Sequence, residues 1–155
     1  MADALSMQVS SAHASERTLL EQLGGRQALF KIIDAFYDKV YAHPWFSKFF
    51  VGVAQERISN QQTDFMQGVF GGPKVYMGKS PVEAHAHIHI TLESFEMRQS
   101  MLRETLEECK VPPHIVTKWI GLDDAFRGRM IKALSECEPR PWSHPIVSVP
   151  PMSKT

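Results

Sequence analysis

Apolar positions recur in helical rather than alternating order over most of this chain. Leu29, Ile32, Ile33, Phe36, Tyr37, Val40 and Tyr41 are spaced by threes and fours, which predicts a strong amphipathic helix ended by His43-Pro44. Ahead of it, Thr18 and Glu21 have the spacing of a capping box before Leu19, Leu20 and Leu23, and Gly24-Gly25 stops that short helix. The stretch PWFSKFF reads as a turn or a single helical turn. A third helix is predicted from Gln55 to Phe70, with an inward stripe of Ile58, Gln61, Gln62, Phe65, Met66 and Val69. After a Gly/Pro loop, GGPKVYMGK, Ser80-Pro81-Val82-Glu83 starts another helix, with Ser at the cap and Pro at the first helical position. Thr91 caps the next, which carries Leu92, Phe95, Leu102 and Leu106 to about Lys110. Val111-Pro112-Pro113 breaks it, and Ile115, Trp119, Leu122, Phe126, Met130 and Leu134 mark a last long helix. The pattern is all-α.

One stretch departs from it. AHAHIHI, residues 84–90, sets His85, His87 and His89 at every second position. On a strand the three rings would share a face and could hold Zn²⁺ or Cu²⁺. A lone strand would have no partner, however, and the helix start at Ser80 favours a short helix. His85 then lies on that helix, His87 points elsewhere and His89 sits at its end. His87 and His89 read as solvent-facing or capping residues.

Composition narrows the class. The chain has 155 residues, enough for one domain with a buried core and one cofactor. Seventeen basic and 17 acidic side chains cancel, which argues against a nucleic-acid binder. No uncharged apolar stretch is long enough to span a bilayer, and the N-terminus lacks the pattern of a signal peptide. Cys109 and Cys137 form no C-x-x-C, so a reduced, cytoplasmic chain is expected, and C-x-x-C-H haem attachment is excluded. Residues 1–15 are small and polar and are expected to be a mobile extension. Residues 138–155 contain five of the ten prolines and are expected to be an extended tail, with Trp142 and Ile146 as the residues able to dock it. The domain proper is then 16–137.

The chemistry begins with polar groups in apolar stripes. Gln61 and Gln62 interrupt the third helix, and Tyr37 brings a hydroxyl into the second. An amide buried without a partner costs about 1–3 kcal/mol. Either Tyr37 and a glutamine satisfy each other, or they line a pocket. The pocket reading has aromatic walls from Phe36, Phe49 and Phe50, donors from Tyr37 and Gln62, and His85 opposite, an arrangement suited to a haem iron with a bound diatomic gas.

The motifs LEQLGG, AFYDKV, FF at 49–50, QQTDFM, GGPKVYMGK, AHAHIHIT, SF at 94–95 and VPP before the last helix occur in order, from about Thr18 to Leu134. In these the chain resembles the truncated haemoglobins, group 1 most of all. The resemblance implies a two-over-two helical sandwich around a non-covalent haem b, with His85 as the iron ligand. It implies Tyr37 and Gln62 as the groups that contact bound oxygen. Phe36, Phe50, Ile58, Gln61, Phe65, Met66 and Tyr76 would surround the cofactor. Lys79, His89 and Arg57 are the candidates for its propionates. Glutamine at 61, where some members place a histidine, argues against iron held from both sides. FRGRMIKAL has no histidine, which argues against covalent haem. Arg98 stands where the family is usually apolar: it either faces solvent or adds a strong donor to the pocket.

The implied function is binding of O₂, NO and CO, and oxidation of nitric oxide to nitrate by bound O₂. A peroxidase-like side activity is also open to such a site. No flavin or nicotinamide motif is present, so an external reductase is expected. The alternatives are a gas-sensing or gas-storage module without turnover, and a helical protein holding a non-haem metal through His85, His87 and His89.

Overall fold

A computed structural model describes residues 17–139 and 145–152. The expected 1–15 extension and Trp142 lie outside the described residues. The helices are α1 (Leu19–Leu23), α2 (Arg26–Ala42), α3 (Gln55–Val69), α4 (Pro81–Ala84), α5 (Leu92–Glu108), α6 (Pro113–Ala125) and α7 (Arg127–Met130), with 3-10 turns at Phe46–Phe50 and Leu134–Glu136. None of them is long and apolar enough to cross a membrane.

Local signals set most boundaries. Thr18 accepts from the Glu21 amide at 3.1 Å, one half of the expected capping box, and Gly24 ends α1 with φ 106°. The capping box at α5 is complete: the Ser94 amide donates to the Thr91 hydroxyl at 3.1 Å, and the Thr91 amide to the Ser94 hydroxyl at 3.0 Å. α2 buries Leu29, Ile32, Ile33, Phe36, Tyr37 and Val40, six of the seven positions in the stripe its spacing predicts, and Tyr41 is half-buried. It packs chiefly on α3 and then α5, and α5 packs on α6. Leu29, Val40, Leu106 and Ile115 have no exposed surface, and the Phe70 and Trp119 rings meet edge to face at 5.2 Å.

Three expectations are corrected. α3 does not turn the stripe of Ile58, Gln61, Gln62, Phe65, Met66 and Val69 into the core as a unit. Its buried residues are Ser59, Thr63, Met66 and Gln67. Small hydroxyls let α3 approach α2 closely, and each finds a local partner. Ser59 donates to Asp34 on α2 at 2.7 Å, and Thr63 to the Ser59 carbonyl at 2.7 Å. Gln61 is exposed, while Ile58, Phe65 and Val69 pack on the core's margin.

The last helix stops at Ala125 rather than running to Leu134. After α7 the chain is extended from Ile131, because tertiary bonds replace helical ones. The Lys132 amide donates to the Ile90 carbonyl at 3.1 Å, and the Lys132 ammonium to the His85 carbonyl at 3.1 Å. Leu134 is half exposed instead of being a core residue.

The third correction concerns residues 84–90 and the tail. α4 ends at Ala84 with His85 as its C-cap, so His89 does not sit at a helix end and His87 is buried. Ile88 has a partner after all, an isolated parallel bridge to Val147. The Val147 amide donates to the His87 carbonyl at 2.9 Å, and the His89 amide to the Val147 carbonyl at 2.8 Å. Ile146 is exposed; the tail docks through Val147, through Val149 and Met152 against the core, and through the Trp45 indole, which donates to the Pro150 carbonyl at 2.8 Å.

Trp45→Phe deletes that indole donor while keeping an aromatic ring. It is expected to lower the unfolding free energy by about 0.5–1.5 kcal/mol and to speed hydrogen exchange at the His89 and Val147 amides but not at Leu29. Unchanged exchange at both the His89 and Val147 amides would show that Trp45 does not anchor the tail.

Candidate functional site

The α2–α3 crossing leaves a cavity between four helices. Its walls are Ile33, Phe36 and Tyr37 from α2, Gln62 and Met66 from α3, Arg98 and Leu102 from α5, and Trp119 from α6. Tyr37 is held by aromatic edges: Phe36 at 5.0 Å, Phe50 at 6.0 Å and Tyr41 at 6.5 Å between ring centres. Neither the Tyr37 hydroxyl nor the Gln62 amide is hydrogen-bonded to another described residue. They do not satisfy each other, so the cavity carries two donors aimed at no protein group. Burial pushes the Tyr37 phenol up to about 12, an effect the nearby Arg98 guanidinium partly opposes. The phenol therefore remains a proton donor throughout the neutral range.

Arg98 takes the inward of its two expected positions. Its guanidinium lies 5.8 Å from the Phe36 ring centre, and its Nη1 donates to Asp123 Oδ1 at 2.6 Å. Asp123 was not singled out from sequence. A signal did exist, since it lies one turn after the buried Trp119 on the same face of α6.

The proximal candidate is built differently. Pro81 opens α4 and its carbonyl accepts from His85 Nδ1 at 2.6 Å. A carbonyl only accepts, so Nδ1 carries the proton, and in the neutral ring Nε2 then carries the lone pair that can ligate a metal. His85 is half-buried, as is His89. A His85/His87/His89 metal site is not formed: among the described residues no group of three His, Cys, Asp or Glu side chains could hold a metal ion.

The remaining candidates fall around these two centres. Phe36, Tyr37, Gln62 and Met66 share the cavity, and Phe50 touches it through Tyr37. Phe65 packs edge to face on Tyr76 at 5.4 Å, and the Tyr76 hydroxyl donates to the Lys79 carbonyl at 2.7 Å. The Lys79 and Arg57 side chains are exposed, and neither forms an ion pair with a described residue. Ile58 and Gln61 line no part of the cavity. The chemistry of the donor set fits a haem: an imidazole with Nδ1 fixed by Pro81, and, apart from it, a chamber of mixed apolar and polar lining with two uncommitted donors.

Residues 18–131 match the family model of the bacterial-like globins. A group 1 truncated hemoglobin from Mycolicibacterium paratuberculosis is 29% identical over 108 residues, covering 70% of this chain and 79% of that protein. One from Tetrahymena thermophila is 33% identical over 99 residues, covering 64% and 82%. The crystal structure of the Fe(III) truncated hemoglobin from Tetrahymena pyriformis superposes with a TM-score of 0.67 at 30% identity, covering 76% of this chain and all of that one. The fold is thus the expected all-α, two-over-two globin arrangement, and residues 132–152 lie beyond the family match.

The Tyr37 phenol also makes stability depend on pH. Its folded value lies above the ordinary 10.0, so its contribution is complete below pH 10 and is lost as pH rises toward 12. Urea unfolding of the haem-free protein should show stability falling over that window, and Tyr37→Phe should flatten the fall. A fall of the same size in the variant would assign the effect to other groups.

Proposed function

The chain belongs to the bacterial-like globin family, and from that premise we propose that it is a group 1 truncated haemoglobin that binds diatomic gases and oxidises nitric oxide to nitrate. His85 would hold haem b, which would supply the iron that binds O₂, NO or CO and the redox chemistry for that oxidation. His85 donates from Nδ1 to Pro81, which fixes the ring's orientation and strengthens Nε2 as a ligand. Tyr37 and Gln62, on the chamber lining, would donate to a gas molecule there and stabilise negative charge on its atoms. Ile33, Met66, Leu102 and Trp119 exclude water around it. Phe50 keeps the Tyr37 ring from swinging out of the chamber.

The observation that carries this reading is the pair of uncommitted donors, Tyr37 of α2 and Gln62 of α3, in one chamber. Donors of this kind are worth about 1–3 kcal/mol each, roughly a tenfold to hundredfold slower release of O₂. Oxygen held that tightly suits a reaction better than transport. An external reductase supplies the electron for each cycle, and a cytoplasmic setting accords with the two free thiols, Cys109 and Cys137. Lys79, Arg57 and His89 are the groups left to meet the propionates.

The purified chain should show a haem Soret band that His85→Ala abolishes or displaces. Tyr37→Phe should speed O₂ dissociation about tenfold to hundredfold in flow kinetics. Mixing the oxygenated protein with nitric oxide should yield stoichiometric nitrate within milliseconds. Tight oxygen binding without nitrate would leave a gas-storage or sensing module in place of the enzyme.

A further inference from the structure

Arg98 places a full cation on a chamber whose gas ligands are neutral. Small donors already serve those ligands, and Arg98, 35% accessible, is paired with the more deeply buried Asp123, 12% accessible. The two partners also stand differently toward the chamber. Arg98 forms part of its wall, whereas Asp123 does not. Both Asp123 oxygens are already engaged, Oδ1 by Arg98 and Oδ2 by Gln99 Nε2 at 3.2 Å. Arg98 is thus the charged group on the chamber wall, and the carboxylate that partners it stands outside the lining.

We propose that this chamber selects small anions as ligands of the oxidised protein, with Arg98 as the residue that sets the selection. The inference rests on the reading of the chamber as the ligand side of a haem. An anion entering walls of Ile33, Phe36, Met66, Leu102 and Trp119 loses its hydration, and only an opposite charge or several donors can offset that loss. Arg98 supplies the charge and has further N–H groups beyond the one given to Asp123. Tyr37 and Gln62 supply donors that an anion engages more strongly than a neutral molecule does. The Phe36 ring beneath the guanidinium helps hold it at the wall.

The test separates charge from shape. The full-length ferric holoprotein is titrated at pH 7 with azide and with fluoride, and the ferrous holoprotein with CO. Arg98→Leu should raise both anion dissociation constants about tenfold or more and leave that for CO within about threefold. Arg98→Lys, which keeps the charge, should recover most of the anion affinity. Arg98→Gln serves where the leucine variant does not fold, with the same expectation as leucine. Anion and CO affinities that move together would reduce Arg98 to a determinant of pocket shape, and anion affinities that do not move would overturn the selection outright. Failure of the parent chain to take up haem would instead defeat the reading beneath.

Discussion

The close crossing of α2 and α3 is the constraint on which the site depends. It is made by Ser59 and Thr63, two wholly buried hydroxyl residues that let the helix backbones approach. Buried hydroxyls are tolerable only with partners, and these have them: a carboxylate across the crossing for Ser59 and the backbone one turn back for Thr63. A hydrogen bond to a charged group is worth about 1.5–3 kcal/mol. Gln55, donating to Asp38 at 2.7 Å, and Gln67, accepting from Arg26 at 2.9 Å, tie α3 to α2 near either end and set its rotation. With that rotation set, Tyr37 and Gln62 must share a cavity. The donor pair follows from helix packing, and no loop has to close to make it.

The same packing explains what was legible in the chain. Stripes made of large apolar residues read correctly: α2 buries what its spacing predicts, and the caps of α1, α4 and α5 stand at Thr18, Ser80 and Thr91. Tyr37 and Gln62 were visible as polar interruptions, and Phe36 and Met66 as their neighbours. The α3 stripe read wrongly because hydrophobicity ranks Ile58 and Phe65 above Ser59 and Thr63. Backbone proximity and local hydroxyl bonds reversed that order. Arg98 was open between two orientations because the decision belongs to Asp123, 25 residues away on another helix. The end of α6 misread for a similar reason: Met130 and Leu134 continue the helical spacing, but Lys132 finds its partners at Ile90 and His85.

The two sides of the site are held by different physics. Tyr37, Gln62 and Arg98 stand on long helices, whose backbone bonds are internal to each element. His85 stands at the end of a four-residue helix, followed by residues whose backbone groups must be satisfied from elsewhere. Those partners come from the C-terminal side of the chain: Lys132 for the His85 and Ile90 carbonyls, Glu138 for Ala86 at 2.9 Å, and Val147 for His87 and His89.

These three partners lie past residue 131, beyond the part of the chain shared with the family. The chamber is therefore set within the matched helices, while the position of His85 is set in part by residues outside that match. The Lys132 contact matters most, because it reaches the His85 carbonyl directly. Burial lowers the Lys132 ammonium's affinity for its proton, yet the group donates to two carbonyls, His85 and Met130, where only a donor is useful. A cation bonded there orders the backbone that carries the imidazole, and the parallel bridge at Ile88 ties the next turn of chain to Val147. The alternating histidines owe their extended geometry to that tail. His87 is buried and His89 is paired along the tail through its backbone, while His85 is anchored through Nδ1 to the Pro81 carbonyl.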